Sequence, residues 1–262
     1  MKIIAKYLLF VLCILSATMN LAQSVISTVE PSKSDTSLNT VIEKMLGRKD
    51  IVKQIQINAG SYNTKILTDS ISKFSKLELL SIFSSKIEVL PESIGNLTKL
   101  KKLSLLGNRI SYLPKSITKL TQLNTLDLGA GKLESLPSDI GKLKKLQVLN
   151  VGYSNLKSIP ESIGELVDME MLILKGCKIE QFPQTISFLQ KLKHLDFSLC
   201  KFSTFPIEIL KLKNLEVLII NGNRFNTLPD LSGFKKLRKL IIDKNKYDIK
   251  KLKLQLPNCE II

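Results

Sequence analysis

A chain of 262 residues with 44% apolar content can bury one sizeable core and is marginal for two domains. Aromatic residues make up 6% and tryptophan is absent, so the interior must be built from leucine and isoleucine, which suits a layered, repetitive core. The net charge of +16 favours acidic partners, but it is nearly all lysine; the few arginines (Arg48, Arg109, Arg224 and Arg238) argue against nucleic acid, whose bases and phosphates are read by the arginine fork.

The chain opens with Lys2 and Lys6, an apolar run from Tyr7 to Leu15, and small and polar residues ending near Ala22. That order predicts a signal peptide over residues 1–22, too short for a spanning helix of about 20 residues. Cys13 lies inside the apolar run behind Leu12, which does not fit a lipoprotein site. The mature protein is therefore expected outside the cytoplasm: secreted, periplasmic or on the cell surface. Residues 23–36, rich in Ser and Thr, read as a flexible leader. Leu38, Val41, Ile42, Met45 and Leu46 keep helical spacing, so residues 37–50 should cap the core as a helix, with Thr40 and Glu43 as its capping box.

From Ile51 a period of 23 takes over. Leu77, Leu100, Leu123, Leu146, Met169, Leu192 and Leu215 are 23 apart, and Leu237 follows at 22. Apolar residues recur three and five positions after each, as in Leu195 and Phe197 after Leu192, and prolines keep the beat from Pro91 to Pro229. A degenerate unit with Val52, Ile55 and Ile57 precedes them. The L-x-L portion alternates, so it predicts a short strand paired in parallel with the next, ~4.8 Å away. Proline opens the return path, from which Ile94 to Ile209 and Leu97 to Leu212 point inward at the same period. One unit cannot cover its own apolar face; stacking closes the core.

The pattern L-x-x-L-x-L-x-x-N-x-[LIF]-x-x-[LIF]-P-x-x-I-x-x-L-x-x, complete in "LKKLSLLGNRISYLPKSITKLTQ", resembles bacterial leucine-rich repeat proteins. It is similar to the 23-residue LPxxI class, which includes plant intracellular Ras-group-related repeat proteins. The resemblance implies an α/β solenoid: a right-handed horseshoe with a concave parallel sheet of about nine strands and short helical or 3-10 segments on the convex side. Repeats would span residues 51–247 and a C-terminal cap residues 248–262. In the family, the asparagine eight places after the first leucine satisfies backbone groups of neighbouring turns. Here that position reads Ser85, Asn108, Gly131, Ser154, Cys177, Cys200, Asn223 and Asn245. Cys177 and Cys200 are thus expected as buried structural thiols; with Cys259 they make an odd number, not a disulfide framework.

The phase also disposes of a tempting site. His194, the only histidine, stands near Asp196 and Ser198. All three are expected outward on one strand, ~6.6 Å apart in sequence order, with the aspartate central and His194 ~13 Å from Ser198. A hydrolytic triad needs the histidine in the middle. No enzyme, cofactor or metal is expected. The same outward positions instead define a binding face: polar at Asp127 and Asn150, with exposed apolar residues Val148, Met171, Ile173, Val217, Ile219 and Ile241 toward the C-terminal half. Tyr153, Lys175, His194, Asp196 and Asn221 complete it. Lysines flanking the first leucines should form a basic ridge of Lys99, Lys101, Lys145, Lys191, Lys193, Lys213, Lys236 and Arg238. The expected function is non-enzymatic binding of a protein by a monomer through the concave face. The alternatives are attachment of the ridge to anionic glycans or lipid head groups, and a cytoplasmic small-GTPase scaffold if residues 1–22 are no signal.

Overall fold

The computed structural model describes residues 26–28, 37–58, 62, 64–83 and 86–262. The expected signal peptide and Ser85 lie outside the described residues. One parallel sheet of eleven strands follows chain order without a crossover: β1 (Ile26–Thr28), β2 (Gln54–Asn58), β3 (Leu79–Phe83), β4 (Lys102–Ser104), β5 (Thr125–Asp127), β6 (Val148–Asn150), β7 (Met171–Ile173), β8 (His194–Asp196), β9 (Val217–Ile219), β10 (Lys239–Ile241) and β11 (Glu260–Ile261). Nine come from the repeats and one is added at each end. β1 corrects the expectation of a flexible leader for its three residues, which pair with Gln54, Ile55 and Gln56.

Register follows the period. Each strand's central leucine faces the next one's, as Leu149 faces Leu172 and Leu172 faces Leu195. These leucines are wholly buried, as are the inward isoleucines and leucines of the return path. That path is a 3-10 turn in most repeats, such as Glu161–Glu165 and Gln184–Phe188. Proline stands one residue before the turn in extended backbone (φ −70°, ψ 152° at Pro160), where its missing N–H is not needed. In the C-terminal repeats phenylalanine replaces aliphatic residues. Phe182, Phe197 and Phe202 form a triangle with ring centroids 4.8–5.2 Å apart.

The asparagine position works as the resemblance implies. Asn108 donates to the carbonyls of Ile82 (2.8 Å) and Leu105 (2.9 Å) and accepts from the N–H of Ile87 (3.0 Å). Asn223 repeats the set on Phe197, Ile220 and Phe202. Cys177 and Cys200 substitute one donor each, to Val151 (3.3 Å) and Leu174 (3.2 Å). Burial pushes the Cys200 thiol up to about 12, so it holds no thiolate at neutral pH. Asn245 departs from the row: it is exposed in the 3-10 turn Lys244–Lys246.

Helix α1 (Leu38–Lys44) and helix α2 (Ile249–Gln255) stand at the two ends. Ser37 caps α1 through the N–H of Thr40, whereas Glu43 accepts from the Thr68 hydroxyl, so the Thr40–Glu43 capping box does not form. The helix begins one turn earlier than that box would place it. Asp248 caps α2 through the N–H of Lys251. Among the described residues no helix is long and apolar enough to cross a membrane.

Candidate binding face

The outward side chains of β4 to β10 form two rows, two and four places after each first leucine. In the second row, Ser104, Asp127 and Asn150 form a chain of polar contacts: Ser104 Oγ donates to Asp127 Oδ2 (3.4 Å) and Asn150 Nδ2 to Asp127 Oδ1 (2.8 Å). Both Asp127 and Asn150 also bend back to accept from an N–H two residues on, at Gly129 (3.1 Å) and Gly152 (3.0 Å). Asp196 does the same, taking the N–H (2.9 Å) and the hydroxyl (2.6 Å) of Ser198. Ser198 is therefore wholly buried and turned back on Asp196, not outward as a strand residue would be. β8 ends at Asp196, and the Asp-turn that follows reorients the serine. The sequence carried a signal for these turns: Asp or Asn two places before Gly or Ser, at Asp127, Asn150 and Asp196.

Burial on this face is deeper than alternation alone implies. Asp127 is 2% exposed, Asn150 1%, Asp196 5% and His194 7%. Burial raises the Asp127 carboxyl to about 6, opposed by its bonds from Gly129, Ser104 and Asn150. Burial likewise raises Asp196, opposed by Ser198 and the charge of Lys175. It lowers His194 to about 4, so the imidazole is neutral at neutral pH. The expected exposed apolar patch needs correction too. Ile173 is 2% exposed, flanked in register by Asn150 and Asp196; Val148, Met171, Val217, Ile219 and Ile241 are half-buried. Parallel strands hold these side chains in touching rows, so each covers part of its neighbours.

Above the rows, the position seven places after the first apolar residue takes a left-handed backbone in six consecutive repeats, from Gly107 to Gly222. Gly107, Gly176 and Gly222 serve three repeats; Ala130, Tyr153 and Leu199 adopt φ of 52–56° in the other three. Left-handed φ is strained for so large a side chain as Tyr or Leu. A Cβ on Gly176 would lie 2.9 Å from the Tyr153 ring, and one on Gly222 2.4 Å from Leu199. The tyrosine and leucine thus lie across the glycine of the next repeat. Lys175 Nζ stands 5.6 Å from the Tyr153 ring centroid, and Leu199 is 46% exposed. Asn221 is half-buried at the same rim, with its carbonyl taking the Leu199 N–H.

The basic ridge is not a row of unopposed cations. Lys101, Lys191 and Lys193 pair with Glu78, Asp168 and Glu170 of the preceding repeat at 2.6–2.7 Å. Lys145 and Lys236 donate to Gln122 and Asn214, both at 2.6 Å. Lys99, Lys213 and Arg238 have no carboxylate within ion-pair range among the described residues.

The sequence matches the leucine-rich repeat region family over residues 51–153 and 139–259, most of the chain. The chain belongs to the leucine-rich repeat family. No curated protein matches it. Among solved structures, this repeat protein is similar to a leucine-rich repeat protein of Leptospira interrogans, with 25% identity and TM-score 0.59, covering 91% of this chain and 78% of that one. It is similar to the repeat ectodomain of the Arabidopsis thaliana receptor kinase GASSHO1/SCHENGEN3, solved in complex with CASPARIAN STRIP INTEGRITY FACTOR 2, with 27% identity and TM-score 0.67. That match covers 76% of this chain and only 25% of the plant ectodomain. An internalin of Listeria monocytogenes shares the fold at 19% identity and TM-score 0.68, covering 83% and 68%.

Proposed function

We propose that this repeat protein binds a protein or peptide across its concave face, outside the cytoplasm. The observation that carries the reading is the make-up of the face from β6 to β10. Half-buried Val148, Met171, Val217, Ile219 and Ile241 surround the buried polar groups Asn150, His194 and Asp196 at the centre. Half-buried apolar side chains gain from being covered, at about 25 cal/mol per Å² of surface removed from water. The polar groups between them set register on the partner. The rim of Tyr153, Lys175, Leu199 and Asn221 supplies an aromatic and an exposed aliphatic anchor. The plant ectodomain solved with its factor is the same architecture holding a partner.

Export rests on the order of charged, apolar and small residues in the first 22, and likeness to the LPxxI class rests on the repeat pattern. A cytoplasmic role with a small GTPase requires residues 1–22 to be retained, so N-terminal sequencing of the native protein separates the two. The binding test uses Met171→Asp with Ile219→Asp, both half-buried; Ile173 is too deeply packed to change cleanly. Capture on wild-type protein from the envelope fraction of its source cells should recover a partner that the folded double variant does not. Equal recovery by both would sink the reading.

A further inference from the structure

From Lys86 to Arg224 the residue after the asparagine position is basic in six of seven repeats, Lys86, Arg109, Lys132, Lys178, Lys201 and Arg224, interrupted once by Asn155; Lys246, after the departing Asn245, pairs with Asp243 at 3.1 Å and stands outside the column. Five are exposed and Lys201 is half-buried. The column stands where the chain leaves the sheet, two residues beyond the left-handed position that carries Tyr153 and Leu199. Backbone bonds hold it in register: the N–H groups of Arg109, Lys178, Lys201 and Arg224 donate to Ile87, Leu156, Ile179 and Phe202 of the preceding repeat at 2.7–3.0 Å. The cations therefore recur once per repeat, about 4.8 Å apart.

Three observations separate this column from ordinary solvated lysine. First, none of the six has a carboxylate within ion-pair range among the described residues, whereas Lys101, Lys191 and Lys193 of the ridge each do. Second, repeat duplication alone does not explain it. Two places on, the same repeats carry Glu, Ser, Lys or Asn, and three places on Val, Tyr, Ser, Gln or Thr, so neighbouring positions have diverged while this one has stayed basic. Third, two of the chain's four arginines fall in it.

We infer that this column binds a linear acidic polysaccharide in which charged and neutral sugars alternate. A repeat spacing of about 4.8 Å is close to the length of one pyranose residue in an extended chain. Glu88, Glu134 and Glu180 fall two residues after the column in alternate repeats. A phosphodiester chain, charged at every unit, would meet a carboxylate at every second repeat. A chain with a neutral, hydroxyl-rich sugar there would find a hydrogen-bond acceptor instead. No aromatic side chain occupies the column, which removes the stacking surface that single-stranded bases use.

The probe is a hyaluronan decasaccharide, which alternates uronate and neutral sugar, titrated at about 50 mM salt where surface charge is weakly screened. Wild type should bind it. The quadruple variant Arg109→Gln, Lys132→Gln, Lys178→Gln, Lys201→Gln should weaken binding about tenfold or more, with a shallower salt dependence. The ridge control Lys101→Gln, Lys145→Gln, Lys191→Gln, Lys193→Gln, equal in charge removed, should lose less than about threefold. Met171→Asp with Ile219→Asp should leave affinity unchanged, which separates this site from the concave face. No binding by wild type, equal losses in column and ridge variants, or tighter binding of oligothymidylate or of phosphatidylglycerol vesicles would each overturn the inference.

Discussion

Asp127 and His194 are both buried near the middle of the sheet, and their titrations oppose one another. The unfolded aspartate releases its proton near 3.9, the native one only at about 6, so stability falls as pH rises between these values and the penalty is complete above pH 6. The unfolded imidazole takes up a proton near 6.5, the native one only at about 4, so stability falls as pH drops through that window. These two contributions offset one another between about pH 4 and 6, while Asp196, also raised by burial, adds to the fall with rising pH. Asp127→Asn keeps the acceptor for Gly129 and removes the buried charge. Urea unfolding at pH 7 should show a gain on the order of 2 kcal/mol, with stability that now declines toward acid. His194→Gln should show the reverse slope, stability declining from pH 4 to 6. Parallel pH profiles for the two variants would refute the assignment. The asparagine row offers a simpler case: Asn108→Ala removes three hydrogen bonds to buried backbone groups, of which the Leu105 carbonyl alone keeps another donor, and should cost about 2–4 kcal/mol by the same measurement.

At the scale of strands and turns, the period alone placed every inward leucine and isoleucine, because a side chain's face is fixed by its parity along a strand. Depth on the outward face was not legible. Parity says that Ile173 points away from the core, but its 2% exposure depends on Asn150 and Asp196 standing in register beside it. Nor does parity extend past a strand's end, which is why Ser198 was misplaced. The ion pairs of Lys101, Lys191 and Lys193 join residues 23 apart, so a reader of one unit at a time misses them. The return path shows how tightly units nest: a Cβ on Gly164 would sit 2.5 Å from the Thr185 carbonyl of the next turn. Gly164→Ala must push two repeats apart and should lower stability by about 1–3 kcal/mol, read from the denaturation midpoint with the slope unchanged. No loss would mean that the 3-10 layer has slack.

Across the whole molecule each repeat touches only its neighbours, so stability is a sum of nearest-neighbour terms and the two ends carry particular weight. At the C-terminal end the last repeat is closed by three backbone bonds: Glu260 N–H to Arg238, Ile242 N–H to Ile262 and Ile262 N–H to Leu240. Leu252 of α2, 5% exposed, and Leu256 after it, 4% exposed, cover the core there. Ending the chain at Tyr247 would remove all five groups. It would leave Leu240 and Ile242 beside an open parallel edge, a template for another chain. Hydrogen exchange should then show the amides of β10 and β9 losing protection first, with those of β4 and β5 nearly unchanged, because coupling decays from repeat to repeat. Size-exclusion chromatography should show concentration-dependent self-association absent from the full chain. Uniform loss of protection along the sheet would mean instead that the solenoid unfolds as one unit, and that the C-terminal cap supports the binding rows on β6 to β9 as much as it closes the end.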